Sequence, residues 1–107
     1  MDLLIDEQDP NDTTLVPVWV SEWTVTQSGL EKSGKFAELR GIVSKDNATP
    51  DEVIGQLPDG VFPIREEIYQ SLDGDNFATF RIDTLGRIHF VNGVLPMPIN
   101  KIFRIEA

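Results

Sequence analysis

The chain has 107 residues, 40% of them hydrophobic and 25% charged, which fits one globular domain rather than two. Its formal net charge of −9 repels phosphate backbones and anionic lipid surfaces, so neither nucleic acid nor a membrane is an expected partner. The sequence contains no cysteine, which excludes a disulfide framework, a thiolate metal site and a cysteine nucleophile.

The N-terminal segment, residues 1–14, is acidic and predicts an arm that precedes a domain at residues 15–107. Five acids occur in its first twelve positions without a Lys or Arg: Asp2, Asp6, Glu7, Asp9 and Asp12. This composition favours a solvated arm. The apolar stretch Leu3, Leu4 and Ile5 keeps open a docking arm that binds a partner chain. Since acids follow this stretch and no apolar run could span a membrane, we expect a soluble, unprocessed protein.

The first half of the domain predicts short strands separated by turns. One strand is expected over residues 15–20, resuming at 23–26, and the polar residues 28–35 predict a turn. Residues 36–43 alternate as a half-buried strand does. Ala37, Leu39 and Val43 would face inward, and Glu38 and Arg40 outward.

Residues 64–72 fit two different structures. Ile64, Ile68 and Leu72 recur every four residues, as on one face of a helix. The segments on both sides predict strands and turns, and tertiary context can override a short helical preference. Helix and strand therefore both remain open for this segment.

The second half of the domain alternates more regularly. In the strand at 77–83 three residues would face inward, as would two at 87–91: Ala78, Phe80, Ile82, Ile88 and Phe90. Turns are expected at 73–76 and at Leu85-Gly86, and Asn92-Gly93 predicts a two-residue hairpin. A last strand is expected over 101–105. The whole pattern predicts an all-β antiparallel sandwich or jelly roll.

Several segments occur in an order that resembles the β-sandwich domains of phage tail fibres and baseplates, a family of receptor-binding and minor tail proteins. These segments are Leu39-Arg40-Gly41-Ile42-Val43, Ile54-Gly55-Gln56-Leu57-Pro58, Gly60-Val61-Phe62-Pro63 and residues 80–88, within a similarity over about residues 23–105. One departure is that family members have an aromatic residue and Arg before the Pro. Here Val61 and Phe62 precede Pro63, and Arg65 follows it.

The resemblance implies a virion protein that forms a homotrimer around a threefold axis and binds a saccharide on the host surface. A subunit interface would add buried apolar area to a small domain that has no disulfide. Neither the resemblance nor the residue pattern implies a cofactor.

The sequence offers two groups of candidate ligand-binding residues. Trp19 and Trp23 could stack on sugar rings, although a tryptophan in a sandwich more often lies in the core or an interface. The turn residues Asp73, Asp75 and Asn76, with Tyr69 nearby, could hold sugar hydroxyls. They lack the further ligands of a calcium loop, so a plain turn without metal is favoured.

No arrangement of residues in the sequence supports catalysis, so we expect a protein that is not an enzyme. His89, the single histidine, is expected on the surface, because strand alternation points it away from the core and no Ser, Cys or metal cluster accompanies it. The leading hypothesis is a receptor-binding module that acts through the loops at 44–51 and 73–76, where several weak sites would act together. The alternative is a capsid decoration or baseplate protein that docks on neighbouring virion subunits through its arm.

Overall fold

The computed structural model describes residues 15–106, so the predicted docking arm with Leu3, Leu4 and Ile5 lies outside the described residues. Residues 15–106 form strands joined by turns and loops, and they contain no helix. The strands are β1 (Val18–Trp19), β2 (Thr24–Ser33), β3 (Phe36–Ser44), β4 (Glu52–Gln56), β5 (Glu67–Asp73), β6 (Asn76–Ile82), β7 (Arg87–Gly93), β8 (Met97–Pro98) and β9 (Lys101–Arg104).

The strands form two antiparallel sheets, which confirms the predicted all-β antiparallel fold. A four-stranded sheet has the order β9-β3-β2, with β8 also paired to β3. A five-stranded sheet has the order β1-β4-β7-β6-β5. The Ser71 hydroxyl on β5 donates a hydrogen bond to the Pro98 carbonyl on β8, which links the two sheets.

The core lies between the sheets and contains the alternate residues of both inner faces. The four-stranded sheet supplies Leu39 and Val43, and the five-stranded sheet supplies Phe80, Ile82 and Ile88, all of them 0% exposed. Burying each such side chain stabilises the fold by about 1.5–3 kcal/mol. The predicted inward alternation of residues 36–43, 77–83 and 87–91 is therefore confirmed.

The prediction for residues 15–35 was wrong in two respects. The strand expected at 15–20 is only β1 (Val18–Trp19), whereas the expected interruption before residue 23 is present as a turn at Ser21 and Glu22. The polar turn expected at 28–35 is mostly strand, because β2 continues to Ser33 opposite Phe36. The reversal is confined to Gly34 and Lys35, where Gly34 adopts a positive φ of 60°. Polar residues fit this strand because its pattern is mostly exposed.

The segment at 64–72, left open between helix and strand, is strand from Glu67 onward, and residues 64 and 65 form a bend. Its helix-like apolar residues do not form a buried stripe, since Ile64, Ile68 and Leu72 are 40%, 65% and 70% exposed. Ile68 and Leu72 instead lie on the outer face of edge strand β5, which pairs with β6 along its whole length. Pairing with β6 satisfies backbone groups on one side of the strand and outweighs the weak helical preference.

The hairpin predicted at Asn92-Gly93 was wrong. Both residues end β7, and the next strand, β8, pairs with β3 of the other sheet, so the chain crosses between the sheets here. Gly93 has a φ of 118°, and a Cβ at this position would lie 2.3 Å from the Ala78 Cα. A close approach to β6 therefore explains this glycine better than a tight turn does.

Candidate functional site

A shallow depression lies on the outer face of the four-stranded sheet. It has a volume of about 280 Å³, and we call it the hollow. Its lining residues come from three strands: Glu31, Ser33, Phe36, Ala37, Glu38 and Ile102. None of these residues was singled out by the sequence as a ligand-binding residue.

Strand pairing explains how these distant residues meet. Across β2 and β3, Glu31 is opposite Glu38, and Ser33 is opposite Phe36. Across β3 and β9, Ile102 is also opposite Glu38. Since directly paired residues project from the same face of a sheet, the five outward side chains surround one spot on the surface.

The hollow combines apolar and charged walls. Phe36 and Ile102 are 46% and 65% exposed, although both are large hydrophobic residues. The Arg104 guanidinium lies 5.7 Å from the centroid of the Phe36 ring, a distance at which a cation is attracted to an aromatic face. The hollow therefore presents an aromatic ring and an aliphatic side chain beside polar groups, the types of side chain that line small-ligand sites.

The two carboxylates of the hollow differ in their partners. Arg40 Nη2 lies 3.3 Å from Glu31 Oε2, in an exposed ion pair. Gly29 leaves room for the guanidinium in this position, since a Cβ there would lie 2.9 Å from Arg40 Nη2. Glu38 has no ion-pair partner among residues 15–106. Like charges directly opposite each other on neighbouring strands are unfavourable, so the hollow has an uncompensated negative charge.

A second group of polar residues lies at the β6–β7 turn, where Asp83 and His89 are buried and Arg87 is half-exposed. His89 Nε2 lies 2.9 Å from Asp83 Oδ2, and Arg87 Nε donates to the same oxygen at 2.8 Å. Asp83 Oδ1 accepts hydrogen bonds from the backbone amides of Leu85 and Arg87, at 3.0 and 2.9 Å. Desolvation raises the pKa of Asp83, but the hydrogen bonds from His89, Arg87 and Leu85 outweigh it and lower this pKa to about 2.

The expectation that His89 lies on the surface was wrong, since the residue is 6% exposed. His89 is paired with Arg81 and lies between the inward residues Ile88 and Phe90, so it faces away from the core as predicted. It is nevertheless covered, because Asp83 binds one ring nitrogen and the other lies 3.4 Å from the Asp51 carbonyl oxygen. A satisfied structural histidine fits this environment better than a solvated one.

The residues predicted to bind ligand do not form one site. Trp23 is 5% exposed in the core, with its ring 5.9 Å from that of Phe90. Trp19, partly buried, is on β1 at one edge of the five-stranded sheet, whereas Tyr69 is on β5 at the opposite edge. Tyr69 packs on Phe80, and burial, with a contribution from Glu67, raises its pKa to about 12.

The two loops expected to bind ligand are both ordinary connections. Asp73, Asp75 and Asn76 are exposed at the tip of the β5–β6 hairpin, as expected of a plain turn. Across the loop between β3 and β4, Glu52 at the start of β4 accepts hydrogen bonds from Lys45 and from Thr49. The Lys45 bond, together with the Thr49 bonds, lowers the pKa of Glu52. This loop is therefore held by its own residues.

The described part of the chain contains no group of three or more His, Cys, Asp or Glu residues placed to hold a metal ion. Nor do residues 15–106 include a helix of the length and hydropathy needed to cross a membrane.

One sequence signal could have indicated the hollow. Phe36 shares the parity of Glu38 and Arg40 along β3, so a large aromatic residue falls on the polar face of the strand. Glu31 and Ser33 gave no such signal, because their segment was interpreted as a turn. Pairing with β9 was not predicted either, so Ile102 was not associated with them.

No protein-family model, curated protein or solved structure matches the chain. The function must therefore be inferred from the chain's own residues.

Proposed function

We propose that this protein is a non-enzymatic recognition module of a virion, at the tip of a phage tail fibre or baseplate, that binds host-surface saccharide through the hollow. The order of sequence segments that resembles tail-fibre and baseplate domains supports the virion assignment. The observation that supports saccharide binding is the exposed ring of Phe36 beside Glu31, Ser33 and Glu38. An aromatic face packs on the C–H groups of a pyranose, while carboxylates and a hydroxyl accept hydrogen bonds from its hydroxyls.

The polar groups of the fold support binding rather than catalysis. Asp83 and His89, a carboxylate and imidazole in contact, both have side chains only 8% exposed. The Asp83 oxygens already accept hydrogen bonds from His89, Arg87 and Leu85. The contact between Asp83 and His89 therefore stabilises the β6–β7 turn. The carboxylates of the hollow lie side by side on an outer sheet face, whereas most glycosidases place two carboxylates on either side of the scissile bond.

A second candidate function is architectural, and a different surface favours it. Four exposed apolar residues lie close together at one edge of the five-stranded sheet: Ile68 and Leu72 on β5, Phe77 on β6, and Val94 just beyond β7. We call this group the apolar strip. Leu72 is directly opposite Phe77, and the Val94 amide donates to the Phe77 carbonyl, so three of these residues are adjacent. Grouped apolar side chains of this kind favour a protein interface. We propose that the strip is the contact surface of the homotrimer or of a neighbouring virion subunit.

The two surfaces contain a matched pair of residues, which allows a direct test. Phe36 in the hollow is 46% exposed and Phe77 in the apolar strip is 44% exposed. Phe36→Ala and Phe77→Ala thus remove the same side chain from similar exposure on opposite faces of the molecule. Binding of each purified full-length variant to host cell-wall glycans, and its oligomeric state by light scattering, would be measured alongside the unmodified protein.

We expect Phe36→Ala to lose at least tenfold in glycan affinity and to keep its oligomeric state, because covering roughly 60 Å² of apolar ring surface at about 25 cal/mol per Å² contributes about 1.5 kcal/mol. Phe77→Ala should keep glycan binding per subunit and weaken assembly. The absence of saturable glycan binding by the unmodified protein, or equal binding by Phe36→Ala, would contradict recognition through the hollow. Tight binding to purified capsids or baseplates that Phe77→Ala abolishes, without glycan binding, would instead support the architectural function.

A further inference from the structure

We propose that the saccharide bound in the hollow contains a protonated amino group and that Glu38 is the carboxylate that binds it. This inference rests on the proposed function and specifies the chemical class of the ligand. It concerns amino sugars with a free amine, as opposed to neutral or N-acetylated sugars.

The first support is the unequal compensation of charge in the hollow. Glu31 and Glu38 are directly opposite on β2 and β3, and the single Arg40 pairs with Glu31 at 3.3 Å. Among the described residues no Lys, Arg or His forms an ion pair with Glu38. A cation brought by the ligand would relieve the repulsion between the two glutamates and would find a partly buried carboxylate as its partner.

The cations around the hollow are placed so that they do not neutralise Glu38. The Arg104 guanidinium is beside the Phe36 ring, and its Nε donates to the Glu106 carbonyl oxygen at 2.8 Å. Lys32 is directly opposite Ala37, an inner-face residue whose side chain is 1% exposed. Lys32 therefore projects from the face of the sheet that is opposite to Glu38. Lys101 has its ammonium 5.7 Å from the ring of Tyr69, on the other sheet.

The second support is that the apolar walls fit the rest of a sugar. Phe36 and Ile102 flank the carboxylates and offer a surface for pyranose C–H groups, and Ser33 adds a hydroxyl. The net charge of −9 also raises the concentration of cationic ligands near the protein. A basic peptide would match the charge, but an aromatic wall for pyranose C–H groups beside a hydroxyl and carboxylates for sugar hydroxyls favours a saccharide.

The experiment compares two oligosaccharides that differ only at nitrogen, a β-1,4-linked glucosamine tetramer and its fully N-acetylated counterpart. Their affinities for the full-length protein would be measured by calorimetry at a pH where the amines are protonated. The variants are Glu38→Gln and, as a control of equal charge change, Glu22→Gln, which alters an exposed residue in the turn before β2. Phe36→Ala serves to detect nonspecific attraction between a cationic ligand and an acidic protein.

We expect the amine form to bind about tenfold more tightly than the N-acetylated form, as for a hydrogen bond between charged groups. Glu38→Gln should remove this preference and leave the affinity for the N-acetylated form unchanged, whereas Glu22→Gln should keep the preference. Binding of the amine form should be lost in Phe36→Ala.

Three results would overturn the inference. Phe36-dependent binding of both ligands with equal affinity would refute the role of the amine and leave recognition through the hollow intact. Amine binding that persists in Phe36→Ala would be nonspecific attraction. Phe36-dependent binding of an oligolysine peptide, with neither saccharide bound, would assign the hollow to a protein partner and contradict the proposed function as well.

Discussion

Carboxylates at two places in this protein have opposite environments. At the β6–β7 turn, Asp83 has a side chain that is 8% exposed and accepts hydrogen bonds from His89, Arg87 and Leu85. On the four-stranded sheet, Glu31 has a side chain that is 66% exposed, and Glu38 opposite it has no ion-pair partner among residues 15–106.

The difference distinguishes a charge that stabilises the fold from a charge that is available to a ligand. A buried carboxylate is tolerated only when donors satisfy it, and removing one member of such a group leaves the others unsatisfied. A glutamate on the outer face of a sheet that has no ion-pair partner contributes little to stability, so its substitution should alter binding more than folding. The following substitutions test this distinction from the largest expected effect to the smallest.

Asp83→Asn should destabilise the fold by about 2–4 kcal/mol, because a neutral amide cannot accept all the hydrogen bonds that the carboxylate accepts, and the amide NH₂ would face donors of His89 or Arg87. Urea unfolding followed by tryptophan fluorescence would measure the change. Asp75→Asn, at the exposed tip of the β5–β6 hairpin, is the control and should change stability by less than about 0.5 kcal/mol. Equal effects of the two substitutions would show that the Asp83 group is not stabilising.

Lowering the pH should remove the stabilisation that the Asp83 carboxylate contributes to the fold. The pKa of Asp83 is about 2 in the folded protein, below the ordinary value of 3.8, so its stabilisation is complete above pH 3.8. It should decrease by about 2 kcal/mol as the pH falls through 3.8 toward 2. Unfolding free energies measured between pH 5 and 2 should show this decrease in the unmodified protein and a smaller one in Asp83→Asn. Parallel curves for the two proteins would contradict the low pKa.

Glu38→Gln should change the free energy of unfolding by less than about 0.5 kcal/mol, with a small stabilisation favoured because the substitution removes repulsion from Glu31. Thermal unfolding at low ionic strength would detect the effect best, since salt screens exposed charges. A loss of 2 kcal/mol or more would mean that Glu38 has a structural role comparable to that of Asp83.

The inner faces of the sheets could be predicted from the sequence, and the outer faces could not. Alternation alone placed Leu39, Phe80 and Ile88 in the core, because burial imposes a period of two on every strand. The contact between His89 and Asp83 depends on pairing across the β6–β7 hairpin, which alternation does not specify. The sequence predicted that His89 faces away from the core and lies on the surface, and the second of these predictions was wrong because Asp83 covers the ring.

The hollow was missed for a related physical reason. Its residues come from β2, β3 and β9, and the register that brings Glu31 and Ile102 to Glu38 is a property of the folded sheet. Polar residues also satisfy both a turn and a solvated edge strand, so composition could not distinguish these states for residues 28–33. Trp23, a candidate for sugar stacking, lies in the core, which is the location that the sequence favoured for a sandwich tryptophan.

The location of the ligand is the central claim, and amide chemical shifts of the ¹⁵N-labelled full-length protein measure it directly. During titration with the glucosamine tetramer, the shift changes should concentrate at residues 31–38 and at Ile102. The β5–β6 hairpin tip with Asp73 and Asp75 should remain unperturbed. Changes concentrated at that tip or along the apolar strip, with residues 31–38 unaffected, would contradict binding in the hollow.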